Sequence, residues 1–162
     1  MTTIVEHARS LFAYNAWADD RILATAEGIS DAAYADLRGQ FEHMLGTQRY
    51  WHANWTGTSE QLVLPVLPTL AKACEDYATS HAALSAYAGA LTQEELDRSE
   101  QWWLRWGFEG RMALGESITQ IFYHGIQHRS EIAVVLTSLG RSPGDLDYLT
   151  FLRESGAAVP AD

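Results

Sequence analysis

The sequence of 162 residues predicts an all-α protein, an antiparallel four-helix bundle with a short additional C-terminal helix. Four segments of about 20 residues or more repeat apolar residues at helical spacing, and few segments carry strand signals. Hydrophobic residues make up 47% of the chain and charged residues 20%, as expected for a globular domain with a real core. We expect one domain over residues 1–162, with a loose tail from about residue 155.

The first two predicted helices run from about Thr3 to Gly28 and from about Leu37 to Thr56. The apolar face of the first carries Ile4, Ala8, Leu11, Asn15, Ile22 and Ala26. The apolar face of the second carries Phe41, Leu45, Gln48, His52 and Trp55. Ser30 and Asp31 are expected to cap a short turn before the second helix.

The third predicted helix starts after Pro68 and continues to about Leu91. Its apolar face carries Leu70, Cys74, Tyr77, His81, Leu84 and Ala88. Thr92 and Glu95 then resemble a capping box, which predicts a further short turn.

The rest of the chain holds an aromatic segment and two predicted helices. Residues 99–110 are rich in aromatic side chains and lack helical periodicity, so they form either a small β-hairpin or an ordered loop. A long helix is predicted from about Arg111 to Leu139, where Gly140 and Pro143 stop it. A last short helix is expected from Leu146 to Arg153.

Composition excludes several function classes. The single cysteine, Cys74, allows neither an intramolecular disulfide nor a four-cysteine zinc site. The net charge of −10 repels nucleic acid and anionic membranes. No run approaches the roughly 20 apolar residues of a membrane span, and the N-terminus does not have the pattern of a signal peptide. We therefore expect a cytoplasmic protein that binds neither nucleic acid nor membrane.

The strongest chemical feature is the sequence HGIQH, residues 124–128, in the last long helix. Residues four apart lie on one helical face, so His124 and His128 can direct two imidazoles at one metal ion. The alternative is a pair of half-buried histidines with ordinary hydrogen bonds. Gly125 stands where the H-E-x-x-H pattern needs its general base, so we do not predict a peptidase.

A third ligand must come from another helix, and periodicity alone leaves it open. His52 and His81 lie on predicted apolar faces. His43 lies roughly opposite the apolar stripe of its own helix.

Four short motifs together resemble the DinB/YfiT-like superfamily, also described as DinB-like metalloenzymes. They are YNAWAD at 14–19, FEHMLG at 41–46 with Tyr50 and Trp51, HGIQHRSEI at 124–132, and DLDYLTFL at 145–152. The likeness covers residues 8 to 154. It implies a three-histidine metal site of His43, His124 and His128, in which His43 faces inward.

Such a site leaves coordination positions open, as catalytic metal sites do. Zinc or nickel is the expected metal, and iron also fits imidazole ligands. Glu131, one turn after His128, is a candidate to orient a ligand or relay a proton. The alternative is that Glu131 is solvated or pairs with Arg129; family members often carry glutamine here.

The resemblance implies two functional alternatives. One is a metal-dependent enzyme acting on a small molecule, either a hydrolase or an S-transferase that uses bacillithiol, mycothiol or glutathione. The other is a non-enzymatic, stress-related metal- or ligand-binding bundle whose metal is structural. The positive charge needed to hold an acidic thiol would come from Arg49, Arg105, Arg111 or Arg129. A homodimer is also expected.

The remaining candidate residues have structural alternatives. Asn15 and Asp19 either hydrogen-bond near the metal or fasten one helix to another. Cys74 is interpreted as a small core residue, and His7, His52 and His81 as structural or surface residues. Aromatic residues line either the mouth of the site or a subunit interface; they are Trp102, Trp103, Trp106 and Phe108, with Trp17, Trp51 and Trp55 as further interface candidates.

Overall fold

The computed structural model describes residues 2–59, 63–103 and 109–158. Its helices and strands are, in chain order, α1 (Ile4–Ala26), α2 (Asp31–Trp55), α3 (Leu70–Ala90), α4 (Gln93–Asp97), β1 (Ser99–Trp103), β2 (Glu109–Ala113), α5 (Leu114–Ser138) and α6 (Tyr148–Glu154). The two strands pair antiparallel, with Ser99 opposite Ala113. The predicted all-α bundle is confirmed. The two described ends of the aromatic segment pair as antiparallel strands, as the hairpin alternative predicts, and residues 104–108 between them lie outside the described residues.

Side-chain caps explain where the first helices begin. The hydroxyl of Thr3 accepts a hydrogen bond from the backbone of Glu6, whose carboxylate bonds back to Thr3, completing a capping box. Ser30 caps α2 itself, because its side chain accepts from the backbone N–H of Ala33. The prediction of a separate short turn before a helix starting near Leu37 is therefore wrong. Ser30 already satisfies an N–H of the first turn of one long helix.

Other boundaries differ from the predictions by a few residues. The long helix α5 begins at Leu114 rather than Arg111, because residues 111–113 pair with β1. The final helix begins at Tyr148 rather than Leu146, because the side chain of Asp147 caps it by accepting from Leu149 N–H. The predicted stop of α5 is confirmed: Gly140 adopts a φ of +77°, which ends the helix without a Cβ penalty.

The helices α1, α2, α3 and α5 enclose an interior made of separate clusters of buried apolar side chains. One end is built around Ile22, Phe41, Tyr77, Ile132 and Leu136, and the other around Leu11, Phe12, Trp55, Leu114 and Ile118. The predicted faces are largely confirmed, but Ile4, the first residue of α1, is 68% exposed. Among the described residues, no helix has both the length and the hydropathy needed to cross a membrane.

A buried polar network crosses this interior. The Arg129 guanidinium donates to Asp19 Oδ1 at 2.8 Å and to Asn15 Oδ1 at 2.9 Å. The same aspartate accepts from Gln48 Nε2 at 2.6 Å, and its Oδ2 lies 3.2 Å from His81 Nε2. Arg129 and Asp19 are each 1% exposed. The network joins α1, α2, α3 and α5, so Asn15 and Asp19 fasten helix to helix.

Charge pairing decides the protonation of Asp19. Burial raises the pKa of this carboxyl, but the Arg129 guanidinium and the His81 imidazole lower it by more. The net pKa lies below the ordinary value of 3.8. Asp19 is therefore an ionised partner for Arg129 at neutral pH.

Gly125 lets the arginine approach its own helix. A Cβ at position 125 would lie 2.7 Å from Arg129 Nη1 and 2.9 Å from Nη2, closer than van der Waals contact. The guanidinium therefore lies over residue 125 on its way to Asp19. Glycine at this place in the HGIQH motif is explained by packing.

Removing the carboxylate should leave Arg129 buried without its counter-charge. We expect Asp19→Ala to lower the free energy of unfolding at about pH 7 by about 3–5 kcal/mol, measured by urea denaturation. Because a lowered folded-state pKa contributes stability that is lost as pH falls through it, the deficit should shrink below pH 3.8. The exposed control Asp36→Ala should change stability by less than about 0.5 kcal/mol; equal effects of the two changes would contradict the network's role.

A methyl group at position 125 should push the guanidinium away from Asp19. We expect Gly125→Ala to destabilise the protein by about 1–3 kcal/mol through overpacking, measured as a shift in the urea midpoint. Gly39 has nothing within 4 Å of an added Cβ. The matched change Gly39→Ala should stabilise α2 by about 0.5–1 kcal/mol. Two changes of the same sign would argue against a steric role for Gly125.

Candidate metal centre

Three histidines converge where α2 packs against α5. His43 comes from α2, and His124 and His128 come from successive turns of α5. One ring nitrogen from each lies within 4.8 Å of the other two. The ring centroids are 4.9 Å apart for His43 and His124, 4.7 Å for His43 and His128, and 4.4 Å for His124 and His128. This arrangement can hold a metal ion.

The cluster lies at the surface of the bundle. His43 is exposed, while His124 and His128 are half-buried. The expectation that His43 faces inward is therefore wrong. Its neighbours Met44 and Leu45 occupy the core, and successive residues of a helix point about 100° apart, so His43 reaches the seam between α2 and α5 from the solvent side.

The rings of His43 and His124 have the protonation state that a metal requires. Burial, together with repulsion from His128 and His43, lowers the pKa of His124 to about 4. Burial and the neighbouring His128 also lower the pKa of His43 below 6.5. Both imidazoles are neutral at pH 7, and a neutral imidazole is the form that binds a metal.

Two polar side chains hold the α5 histidines. Glu131 Oε2 accepts a hydrogen bond from His128 Nδ1 at 2.7 Å, and this bond lowers the pKa of the Glu131 carboxyl. In the neutral tautomer with its proton on Nδ1, His128 presents the lone pair of Nε2 to a metal. Thr47 Oγ1 lies 3.2 Å from His124 Nε2. Sequence reasoning missed Thr47, although its place four residues after His43 puts it on the same helical face.

The other candidate histidines lie outside the cluster. Both ring nitrogens of His81 face carboxylates, with Nε2 3.2 Å from Asp19 and Nδ1 3.3 Å from Asp20. His52 packs against the Tyr87 ring at a centroid distance of 5.7 Å. In the part of the chain that the structure describes, His43, His124 and His128 are the one group of three suitable donors.

Two of the four arginines expected to bind an acidic thiol form ion pairs within the chain. Arg129 is buried against Asp19, so the suggestion that it pairs with Glu131 is wrong. Arg49 pairs with Asp76 at 3.4 Å. Arg111 lies on β2, and Arg105 lies outside the described residues.

The predicted roles of Cys74 and of the aromatic residues can be compared with the structure only in part. Cys74 is half-buried against the core, and burial raises the pKa of its thiol, as expected of a packing residue. Trp51 and Trp55 are buried within the chain rather than free for an interface. The side chains of Trp102 and Trp103, and all of Trp106 and Phe108, lie outside what the structure describes.

Comparisons with known proteins bear on the whole chain. Neither the curated proteins nor the solved structures gave a match. The model of the DinB family matches residues 1–158, which include the three histidines and the buried network. The chain therefore belongs to the DinB family.

Proposed function

We propose that His43, His124 and His128 hold one divalent transition metal, with zinc or nickel preferred and iron compatible. The support is a donor set of three imidazoles whose nitrogens lie within 4.8 Å of one another. Two nitrogens bound to the same zinc through bonds of 2.0–2.1 Å lie about 3.3 Å apart. To bind one ion, the donors would therefore need to approach one another by at most about 1.5 Å, from 4.8 Å to about 3.3 Å.

We further propose that the protein is a metal-dependent enzyme that acts on a small molecule, of the thiol-dependent S-transferase or the hydrolase type. The observation that carries this proposal is the exposure of His43, which leaves the centre open to solvent. Structural zinc sites are closed by four protein ligands, whereas catalytic sites keep a position free. A metal held here supplies Lewis acidity, which lowers the pKa of a water or thiol that binds it.

The chain itself supplies orientation and a proton acceptor. Glu131 fixes the ring of His128 through Nδ1. Its carboxyl is ionised at neutral pH, since its ordinary pKa is 4.5 and the hydrogen bond from His128 lowers that pKa further. Its side chain is 48% exposed, so a substrate proton can reach it. Thr47 lies against His124 and can fix that ring in the same way. We propose Glu131 as a positioning residue that is also placed to accept a proton.

The second candidate function is a non-enzymatic, stress-related bundle with a structural or regulatory metal. The observation that favours it is the engagement of Arg49 with Asp76 and of Arg129 with Asp19. Those two side chains therefore do not supply the anion pocket that an acidic thiol requires. A neutral substrate is compatible with the open centre, so the hydrolase alternative does not require these arginines.

The same proposal includes a cytoplasmic homodimer that binds neither nucleic acid nor membrane. A net charge of −10 supports the exclusion of polyanionic partners. Apolar side chains on the outer surface of α5 support self-association, since Tyr123 is 64% and Val134 71% exposed.

Each histidine should be needed for stoichiometric metal. We expect untagged wild-type protein, dialysed against zinc and then buffer, to hold about one zinc per chain by plasma mass spectrometry. Each variant should lose zinc because the site has three protein donors and each substitution removes one. The variants His43→Ala, His124→Ala and His128→Ala should each lose it, whereas the exposed control His7→Ala should retain it.

The same proteins test the enzyme assignment. Zinc- and nickel-loaded forms are assayed with each of the three thiols and an electrophilic acceptor, and separately with a p-nitrophenyl ester. Turnover lost in all three histidine variants supports the enzyme. Full metal occupancy without turnover in either assay favours the structural metal, and a metal-free wild type after zinc loading contradicts both proposals.

Removing the hydrogen bond to His128 should weaken metal binding without unfolding the protein. We expect Glu131→Ala to lower zinc affinity by about 10–100-fold, measured by competition with a chromogenic chelator. Glu131→Gln keeps an acceptor for Nδ1–H and should lose less. The exposed control Glu116→Ala should leave affinity unchanged. Equal affinity in wild type and Glu131→Ala would show that Glu131 does not support metal binding by His128.

A further inference from the structure

A cavity of about 290 Å³ between α1 and α3 is lined by an arginine, Arg9, and by no acidic side chain. Most of its accessible surface is apolar. The apolar lining residues come from these two helices and are Phe12, Ala13, Ala16, Leu84 and Ala88. The chain as a whole has 21 acidic residues and a net charge of −10, so this lining differs from the average surface. None of the three histidines of the candidate metal centre lines the cavity.

Three hydrogen bonds hold the Arg9 guanidinium across the end of α3. Its Nε donates to the carbonyl of Ala88, and its Nη2 donates to the carbonyls of Gly89 and Leu91, each at 3.0 Å. An arginine has five N–H donors, and these bonds use three of them. The two N–H groups of Nη1 have no acceptor among the described residues. The guanidinium is therefore fixed in place and keeps one nitrogen free to bind a ligand.

The positive charge of Arg9 has no carboxylate partner. No acidic side chain in the part of the chain that the structure describes forms an ion pair with it. Glu6, one turn earlier on α1, accepts hydrogen bonds from Thr3 instead. The carbonyls at the end of α3 carry only partial negative charge. An anion in the cavity would therefore meet an uncompensated guanidinium, and the carboxylate is a group whose geometry arginine matches.

The other polar residues of the lining belong to the buried network. Asn15, Gln48 and His81 hydrogen-bond to Arg129 or to Asp19. Asp19 does not line the cavity, and its negative charge is paired with Arg129. His81 lies about two helical turns before the carbonyls that hold Arg9. The Arg9 end of the cavity is therefore the end that can bind an anion.

We propose that this cavity is a binding site for a small monocarboxylate with an apolar body. The carboxylate accepts hydrogen bonds from Arg9 Nη1, and the body packs against Phe12, Leu84 and the alanine methyl groups. The volume is close to the lower limit of about 300 Å³ for ligand pockets, which restricts the ligand to about the size of benzoate. This site is independent of the proposed metal chemistry.

Benzoate, benzyl alcohol and acetate are matched probes for the proposal. Benzoate shares its ring with benzyl alcohol and its carboxylate with acetate. We expect benzoate to cause saturable amide shifts in NMR spectra of ¹⁵N-labelled full-length protein, centred on the lining segments of α1 and α3. It should bind at least about tenfold more tightly than benzyl alcohol, since a hydrogen bond to a charged group contributes on that order. It should also bind at least about tenfold more tightly than acetate, because the ring buries apolar surface.

Two variants with matched controls separate the charge from the cavity. Arg9→Gln removes the charge and should lower benzoate affinity at least about tenfold. Arg153→Gln makes the same change at an exposed position outside the lining and should bind as wild type does. Ser85→Leu adds bulk at an exposed lining position and should abolish benzoate binding while the protein stays folded and Arg9 stays in place. Ala78→Leu, at an exposed position of α3 outside the lining, should bind as wild type does.

Several results would overturn the proposal. Equal affinity for benzoate and benzyl alcohol would mean that Arg9 does not select a carboxylate. Equal affinity for benzoate and acetate would mean that the guanidinium attracts anions without the apolar walls. Benzoate binding that persists unchanged in Arg9→Gln or in Ser85→Leu would place the ligand elsewhere, as would shifts centred on His43, His124 and His128. The absence of saturable shifts with benzoate would show that the cavity holds no such ligand.

Discussion

The buried guanidinium of Arg129 is the constraint on which the arrangement of the helices depends. It carries a full charge into the interior and is compensated there by Asp19 and Asn15 of α1, while its cation lies 5.3 Å from the centre of the Tyr14 ring. A buried charge is costly without such partners, so the pairing favours the rotation of α5 that directs Arg129 at α1. Gly125 completes the constraint by leaving room for the guanidinium over its own helix.

That rotation also decides where the histidines point. His124 and His128 each precede an inward-facing residue, Gly125 and Arg129, and therefore lie about 100° away at the edge of α5. On α2 the same relation holds for His43 and the buried Met44. The candidate metal centre thus lies at the seam between α2 and α5, and the inner faces of these helices are fixed by packing and by ion pairing. A metal there would join α2 to α5 and need no change in the core.

Helical periodicity was sufficient to predict the four long helices, and the spacing of His124 and His128 was sufficient to predict a two-imidazole face. Periodicity could not select the third histidine, because His43 lies opposite the apolar stripe of α2 and His81 lies on a more favourable face. Resemblance to the family identified His43, yet its inward orientation was wrong, since the cluster forms at the solvent edge. The partners of Arg129 were also beyond sequence reasoning, because contacts between residues 110 or more apart depend on the packed helices.

X-ray absorption at the zinc edge of zinc-loaded protein tests the three-histidine centre most directly. We expect a shell of nitrogen or oxygen donors at about 2.0–2.1 Å with the outer-shell scattering of three imidazoles. The His43→Ala variant should lose that imidazole scattering or the zinc itself. Two results would contradict the three-histidine centre. One is a sulfur donor at about 2.3 Å, which Cys74, the single cysteine of the chain, could supply. The other is a shell of oxygen donors without imidazole scattering.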